Sequence, residues 1–266
     1  MSVIVPCYRC SDSIGRAVGS VLEQTLLPSE VILIDDASND GTLEILHKLA
    51  KKHPDLIKVI GLKMNVGAAG ARNKGWSVAI QPYIAFLDAD DSWHPEKIRI
   101  QYEYMLANKL VAVSGHRCNV FIKQDIYFNI PHVLSAKKIE PLSLVFKNCF
   151  STPTVMLKKE LPFRFAENKR FAEDFYLWQQ IAFSGLLVNR IELPLAYVYK
   201  KLYGESGLSA QLWEMEKGEL DNFLRLYAAG VLSISLFFIG YSFSFLKFLK
   251  RVFEKFFQSL IFIFKI

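Results

Sequence analysis

The 266-residue sequence predicts an α/β fold: a mostly parallel β-sheet with helices on both faces, followed by an apolar, amphipathic helical segment. Three observations lead there. Apolar runs of strand length alternate with segments of helical periodicity. The runs are apolar throughout, as strands covered on both faces must be. Acidic residues stop two of them, at Asp35-Asp36 and at Asp88-Ala89-Asp90-Asp91.

Residues 2–6 read as the first strand. A helix from about Ser13 to Gln24 follows, with Ile14, Val18, Val21 and Leu22 at helical spacing. Val31-Ile32-Leu33-Ile34 is the second strand, and Asp40-Gly41-Thr42 marks a turn and a helix N-terminus ahead of Leu43, Leu46 and Leu49. Leu56–Leu62 is the third strand, and after Asn65-Val66-Gly67 a Gly/Ala-rich helix runs through Val78. Tyr83–Leu87 is the fourth strand, and His94-Pro95 opens a helix that ends near Asn108. Between residues 110 and 205 the pattern is mixed. Strand-like stretches fall at Val111–Ser114, Asn119–Phe121, Pro153–Leu157 and Tyr197–Lys201, with a helix at roughly Glu173–Ser184. No repeat or linker interrupts this region, so residues 1–210 read as one domain and 211–266 as a helical, membrane-associating segment.

Composition narrows the function. Half of the chain is apolar and about a fifth is charged, which is ample for a core and poor for disorder. The net charge of +6 suits an anionic partner, whether a nucleotide, a phospholipid surface or nucleic acid. The basic residues form no stripe with exposed aromatics outside the C-terminal segment, so nucleic acid is not expected. Cys7 and Cys10 form a C-x-x-C pair with no second pair to complete a zinc site; with Cys118 and Cys149 they read as plain thiols of a reducing compartment. Met1 runs straight into Ser2-Val3-Ile4-Val5-Pro6 without a basic leader, so the body of the protein is expected in the cytoplasm.

Leu226–Leu246 carries no charge over 21 residues, long enough to span a bilayer. It holds four serines and two glycines, and the basic cluster Lys247, Lys250, Arg251 and Lys255 follows. A single span would put that cluster opposite the domain, against the positive-inside tendency. The favoured expectation is helices lying on the cytoplasmic face of the membrane, peripheral or monotopic, with basic residues toward lipid headgroups. A true span and an oligomer-forming helical tail are the alternatives.

In a sheet of this kind ligands bind outside the carboxyl ends of the strands. Tyr8, Asp35-Asp36 and Asp88/Asp90/Asp91 all lie just beyond strand ends, so the topology gathers them on one edge. Two carboxylates spaced as Asp88-Ala89-Asp90 can reach one divalent cation and a ribose hydroxyl; the same spacing also suits a turn that caps the next helix. Asp36 is suited equally to a pyrimidine N–H and to an Asx turn. Arg72 is suited to a phosphate, to an ion pair with Asp36, or to the surface. Glu173-Asp174 fits a general base that takes the proton of an attacking hydroxyl, and fits equally a favourable helix N-terminus.

Taken together, these elements resemble a known family. Val3-Ile4-Val5-Pro6-Cys7-Tyr8, Ser20–Thr25, Val31–Thr42, Asn65-Val66-Gly67, Ala71-Arg72-Asn73, Phe86–Asp91 and Glu173-Asp174 followed by Trp178 are similar to the ordered motifs of family 2 glycosyltransferases with the GT-A fold, as in bacterial surface-polysaccharide synthesis. The resemblance spans roughly residues 2–205. It implies an inverting transfer of one sugar from a nucleotide-sugar donor, a UDP-sugar, to a hydroxyl of a lipid-linked saccharide acceptor, with Mn²⁺ or Mg²⁺ as cofactor. It further implies donor contacts from Pro6, Tyr8, Asp36, Arg72 and Asp88: Asp36 at the base, Asp88 at the ribose or metal. Asp90 becomes a metal ligand and Asp174 the catalytic base.

Two departures stand out. Arg9 occupies a position where the family often has Asn, and the Tyr197–Ser209 stretch lacks the Arg and His frequent there. No Q-x-x-R-W element of processive synthases occurs, which favours single transfers. A dinucleotide-dependent oxidoreductase would need a G-x-G-x-x-G turn after the first strand, and a sugar-nucleotide pyrophosphorylase a glycine-rich basic loop there; Cys7–Gly15 supplies neither. The non-catalytic alternative is a degenerate GT-A-like membrane scaffold.

Overall fold

Four strands with unbroken apolar sequence build the first half of the sheet. The computed structural model describes residues 1–120, 130, 134–199 and 211–263. In it β1 (Ser2–Cys7), β2 (Glu30–Asp35), β3 (Ile57–Gly61) and β4 (Tyr83–Phe86) run parallel, β1 lying between β2 and β4. The helices between them are α1 (Ile14–Leu22), α2 (Thr42–Lys52) and α3 (Gly67–Val78). Successive side chains of a strand point to opposite faces. Ile4, Ile32, Ile34, Ile84 and Phe86 pack with Ala69, Ala71 and Trp76 of α3. Val3, Val5, Val31, Leu33 and Ala85 pack on the other face with Val18 of α1 and Leu46 of α2. The two-sided burial inferred from the apolar runs is therefore met.

The second half is mixed. After β5 (Ser92–Trp93) and α4 (Lys97–Ala107) come β6 (Val111–Val120), β7 (Ala136–Lys138), α5 (Ser143–Phe146), a 3₁₀ turn at Thr152–Thr154 and β8 (Met156–Lys158). Then follow α6 (Glu173–Phe183) and β9 (Leu187–Val198). The sheet order is β3-β2-β1-β4-β8-β6-β9-β5, with β7 on β9. β8 is antiparallel to β4 and β6, whereas β6 and β9 are parallel.

Several boundaries differ from expectation. Val111–Ser114 and Asn119 belong to one strand, β6, kept continuous by register shifts against β9. Tyr197 belongs to the end of a 12-residue strand that runs from Leu187 to Val198. Phe121, the Lys200-Lys201 end of the expected last strand and the Ser206–Ser209 stretch lie outside the described residues. The 3₁₀ turn replaces the start of the expected Pro153–Leu157 strand, because Pro153 has no N–H for a sheet ladder.

The uncharged run at 226–246 is not one helix. α7 (Leu212–Ala228) ends at Gly230, whose φ of 70° is left-handed. Val231 N–H donates to Leu226 O and Gly230 N–H to Tyr227 O, a pair of bonds that closes a helix terminus and reverses the chain. α8 (Ile234–Ile263) then turns back along α7, with Phe223, Leu226 and Leu232 buried between them. Among the described residues no helix is long and apolar enough to cross a membrane. Lys247 and Arg251 face inward to Glu219 of α7, and Lys250 pairs with Glu254. Two of the four cations assigned to headgroups thus share one carboxylate within the chain, whereas the Lys250–Glu254 pair stays exposed.

Candidate active site

The chain leaves β1 toward β2 on one side and later returns to β4 on the other. The carboxyl ends of these strands consequently open a crevice. The crevice is an open cleft of about 810 Å³ lined by Pro6, Tyr8, Asp36, Arg72, Asp88 and Asp90 among others. Six of the seven expected site residues thus meet in one place. The seventh, Asp174, lies just outside the lining; its neighbour Glu173 is part of it.

Backbone strain concentrates here. Among the described residues, three non-glycine residues have left-handed φ: Arg9 (49°), Ala37 (56°) and Ala172 (55°). They follow β1, follow β2 and precede α6. Such conformations persist only where surrounding contacts hold them, and they gather at functional sites. Arg9 N–H donates to Ser38 Oγ at 3.0 Å and Cys10 N–H to Thr42 Oγ1 at 3.0 Å, tying the first two loops together. All four cysteines are free thiols.

Asp36 holds the start of α3. Its carboxylate accepts the Val66 N–H at 2.7 Å and the Gly67 N–H at 2.8 Å, two amides that a helix N-terminus leaves without partners. Burial pushes the Asp36 carboxyl above its ordinary range, and the two amides draw it back. The ion pair with Arg72 that the sequence left open is not formed, because both carboxylate oxygens are engaged by the loop before α3.

Arg72 instead joins Asp88 and Glu173. One terminal nitrogen lies 2.7 Å from Asp88 Oδ1 and the other 3.0 Å from Glu173 Oε1. The guanidinium is buried and sits 5.3 Å from the Phe165 ring. Burial alone would weaken its hold on the proton, but the carboxylates of Asp88 and Glu173 outweigh that and raise its pKa. One cation thus fastens the end of β4 to the first residue of α6, 101 positions away. Asp88 keeps 29% of its side chain exposed, turned to the cleft. Arg16 of α1 donates to the Asp90 carbonyl at 2.6 Å and stacks 3.7 Å from the Tyr199 ring.

Asp174 is partly buried at the N-terminus of α6. Its Oδ1 accepts the Phe175 N–H at 2.7 Å, and its Oδ2 lies 3.4 Å from both Thr152 Oγ1 and Asn148 Nδ2. Burial, with repulsion from Glu173 and against the pull of Arg72, pushes its carboxyl up to about 7. A carboxylate poised near neutrality is suited to taking and releasing a proton. No group of three or more His, Cys, Asp or Glu is placed to hold a metal ion among the described residues.

Residues 2–170 match the family model described as Glycosyl transferase family 2. The chain belongs to that family. It is a glycosyltransferase, and the scaffold alternative loses its ground. Among similar curated proteins is the UDP-Glc:alpha-D-GlcNAc-diphosphoundecaprenol beta-1,3-glucosyltransferase WfaP of Escherichia coli, 33% identical over 74% of this chain and 76% of the relative. Another is the beta-1,3-glucosyltransferase WfgD of the same organism, bearing the same donor and acceptor in its name, 32% identical over 68% and 69%. The amylovoran biosynthesis glycosyltransferase AmsB of Erwinia amylovora is 28% identical over 73% and 68%. Among solved structures, S. aureus TarS 1-349 in complex with UDP-GlcNAc superposes with a TM-score of 0.64 at 20% identity, covering 85% of this chain and 66% of that one. The mannosyltransferase PcManGT from Pyrobaculum calidifontis, in complex with GDP-Man and Mn²⁺, gives 0.65 at 20% identity, over 85% and 64%. At that identity the two structures establish a shared GT-A-like fold.

The family 2 cleft also contains residues that sequence reasoning passed over. Lys169 and Arg170 line it, and Arg16, Asn148 and Thr152 bond Asp90 or Asp174 at its edge; none carries a recognisable local pattern. Glu173 had one, the acidic pair at a helix start, but its partner Arg72 is apparent only in three dimensions.

Proposed function

We propose that this family 2 glycosyltransferase moves one sugar from a UDP-sugar to a hydroxyl of a lipid-linked saccharide at the cytoplasmic face of the membrane, with inversion, in polysaccharide assembly. The observation that carries this reading is the placement of Asp174, partly buried and near neutral, beside a cleft lined by Asp36, Asp88 and Asp90. In the reaction the acceptor oxygen attacks the anomeric carbon as the bond from that carbon to the diphosphate breaks. The hydroxyl proton passes to Asp174, and UDP leaves with the bonding electrons. Arg72 holds Asp88 and Glu173 in place across the cleft, and Asp36, with Tyr8 and Pro6, lines the nucleotide end. The names of WfaP and WfgD support the choice of donor and acceptor class.

A divalent cation fits the donor set here. Asp88 and Asp90 offer hard carboxylate oxygens on the cleft wall, and Mg²⁺ or Mn²⁺ is commonly held by one or two carboxylates together with substrate phosphates. When bound, such an ion offsets the charge that develops on the leaving diphosphate.

The C-terminal helices supply the membrane contact in this reading. α8 exposes Ile234, Phe238, Leu246 and Phe253, each more than half accessible. Four cations and one carboxylate lie within residues 234–263. α8 packs on α5 through Phe146 and Phe243, whose ring centroids are 5.1 Å apart, and the loop after α5 brings Asn148 to Asp174. A membrane-held acceptor would thus approach on the side of the base.

Liposomes containing anionic lipid and a lipid-diphosphate-GlcNAc acceptor test both parts at once. With a panel of UDP-sugars the full chain is expected to release UDP and form the inverted anomer, read by NMR. The Phe238→Glu/Phe253→Glu variant should stay off the liposomes and lose most transfer there, yet turn over a short-chain soluble acceptor normally. A retained anomer would overturn the mechanism; full co-sedimentation of the variant would overturn the membrane reading.

A further inference from the structure

The segment between Phe165 and Glu173 connects the cleft to the C-terminal helices, and α7 grips it from behind. Lys169 lines the cleft, and its buried ammonium bonds both the Gly218 carbonyl and Asp221 of α7. Arg225 bridges Asp221 and Asn168. Gly218 lies so close that a Cβ there would stand 2.7 Å from the Phe171 carbonyl oxygen. Asn222, fully buried, donates from Nδ2 to the Ala172 carbonyl at 3.0 Å.

Ala172 is the residue that aims Glu173 and Asp174. It precedes α6 with φ 55° and ψ 28°, a left-handed conformation that costs a residue with a Cβ about 1–2 kcal/mol. Its carbonyl also accepts the Tyr176 N–H at 3.1 Å, which opens the helix. A strained residue at the start of the helix that carries the proposed base must be held from outside, and the side chain that reaches its carbonyl is Asn222.

We propose that Asn222 is a positioning residue for sugar transfer: its bond to Ala172 holds the left-handed turn that directs Glu173 toward Arg72 and Asp174 toward the acceptor side of the cleft. The inference rests on the reading of Asp174 as the base. It also gives α7 a second task besides carrying α8, since the same helix sets the geometry of the reacting edge. The nucleotide end of the cleft, built on Asp36, Val66 and Gly67, makes no contact with Asn222.

The test compares Asn222→Ala, Ala172→Gly and the double variant in the full chain, with the thermal midpoint of each measured and kcat and donor KM taken well below it. Asn222→Ala is expected to lower kcat by about 10- to 100-fold, the scale of a misplaced catalytic group, with donor KM little changed. Ala172→Gly adopts the left-handed turn without strain, so in the Asn222→Ala background it should restore most of kcat. If Asn222→Ala fails to fold, the double variant is still expected to fold and turn over. A folded Asn222→Ala with normal kcat, or a double variant without recovery, overturns the proposal. Asp174→Asn run alongside separates the two readings: normal turnover there would sink the base assignment itself, whereas loss there with normal Asn222→Ala turnover would sink only the positioning role.

Discussion

Replacing Asp174 with Asn is expected to lower kcat by about 10²–10⁴-fold, the usual contribution of a positioned general base, while donor binding survives. The wild-type rate should rise with pH through about 7, because the carboxyl must lose its proton before it can accept another. Stability moves the opposite way. The carboxyl is held above its unfolded value, so the stability it contributes is complete in acid and is lost as pH rises toward about 7. Asp174→Asn should therefore melt higher than wild type at pH 8, with the difference shrinking at pH 5. Loss of turnover together with a lower midpoint at pH 8 would mean that Asp174 supports the fold and is not a destabilised catalytic group.

The second large effect belongs to Arg72. Truncation to Ala leaves Asp88 and Glu173 without their shared cation, and breaking a buried charge pair from one side costs about 3–5 kcal/mol. Arg72→Lys should recover part of that, since one ammonium cannot present the two-pronged fork that spans β4 and α6. Arg72 also draws the Asp174 pKa down, so a folded Arg72 variant that lacks the cation should shift the rising limb of the pH–rate profile to higher pH. Denaturant unfolding and the profile together check this. A loss below about 1 kcal/mol, the scale of a surface pair, would show that the network is solvated.

The first half of the sheet is legible in sequence because its acidic residues follow strand ends. Apolar runs name β1, β2 and β4, and of the acidic residues that stop β2 and β4, Asp36, Asp88 and Asp90 line the cleft together with Tyr8 after β1. The second half is less so. β9 carries Glu192 and Pro194 in its middle and pairs with β6 through shifted register, so no clean periodicity marks it. β5 is two residues long and takes its form from pairing with β9. Absence of charge at 226–246 suggested continuity, whereas Gly230 in a left-handed turn makes two antiparallel helices. Arg72 and Asn222 act on partners 101 and 50 positions away, distances at which sequence pattern carries no information about contact.

The most direct test of the central claim, that Asp88 and Asp90 complete a metal-assisted nucleotide-sugar site, is calorimetric binding of UDP and GDP with and without Mn²⁺. Wild type is expected to bind UDP in preference to GDP, more tightly with Mn²⁺, and Asp90→Ala to lose the metal-dependent part. Binding of neither nucleotide under any metal condition, or an Asp90→Ala isotherm that matches wild type, would contradict the account.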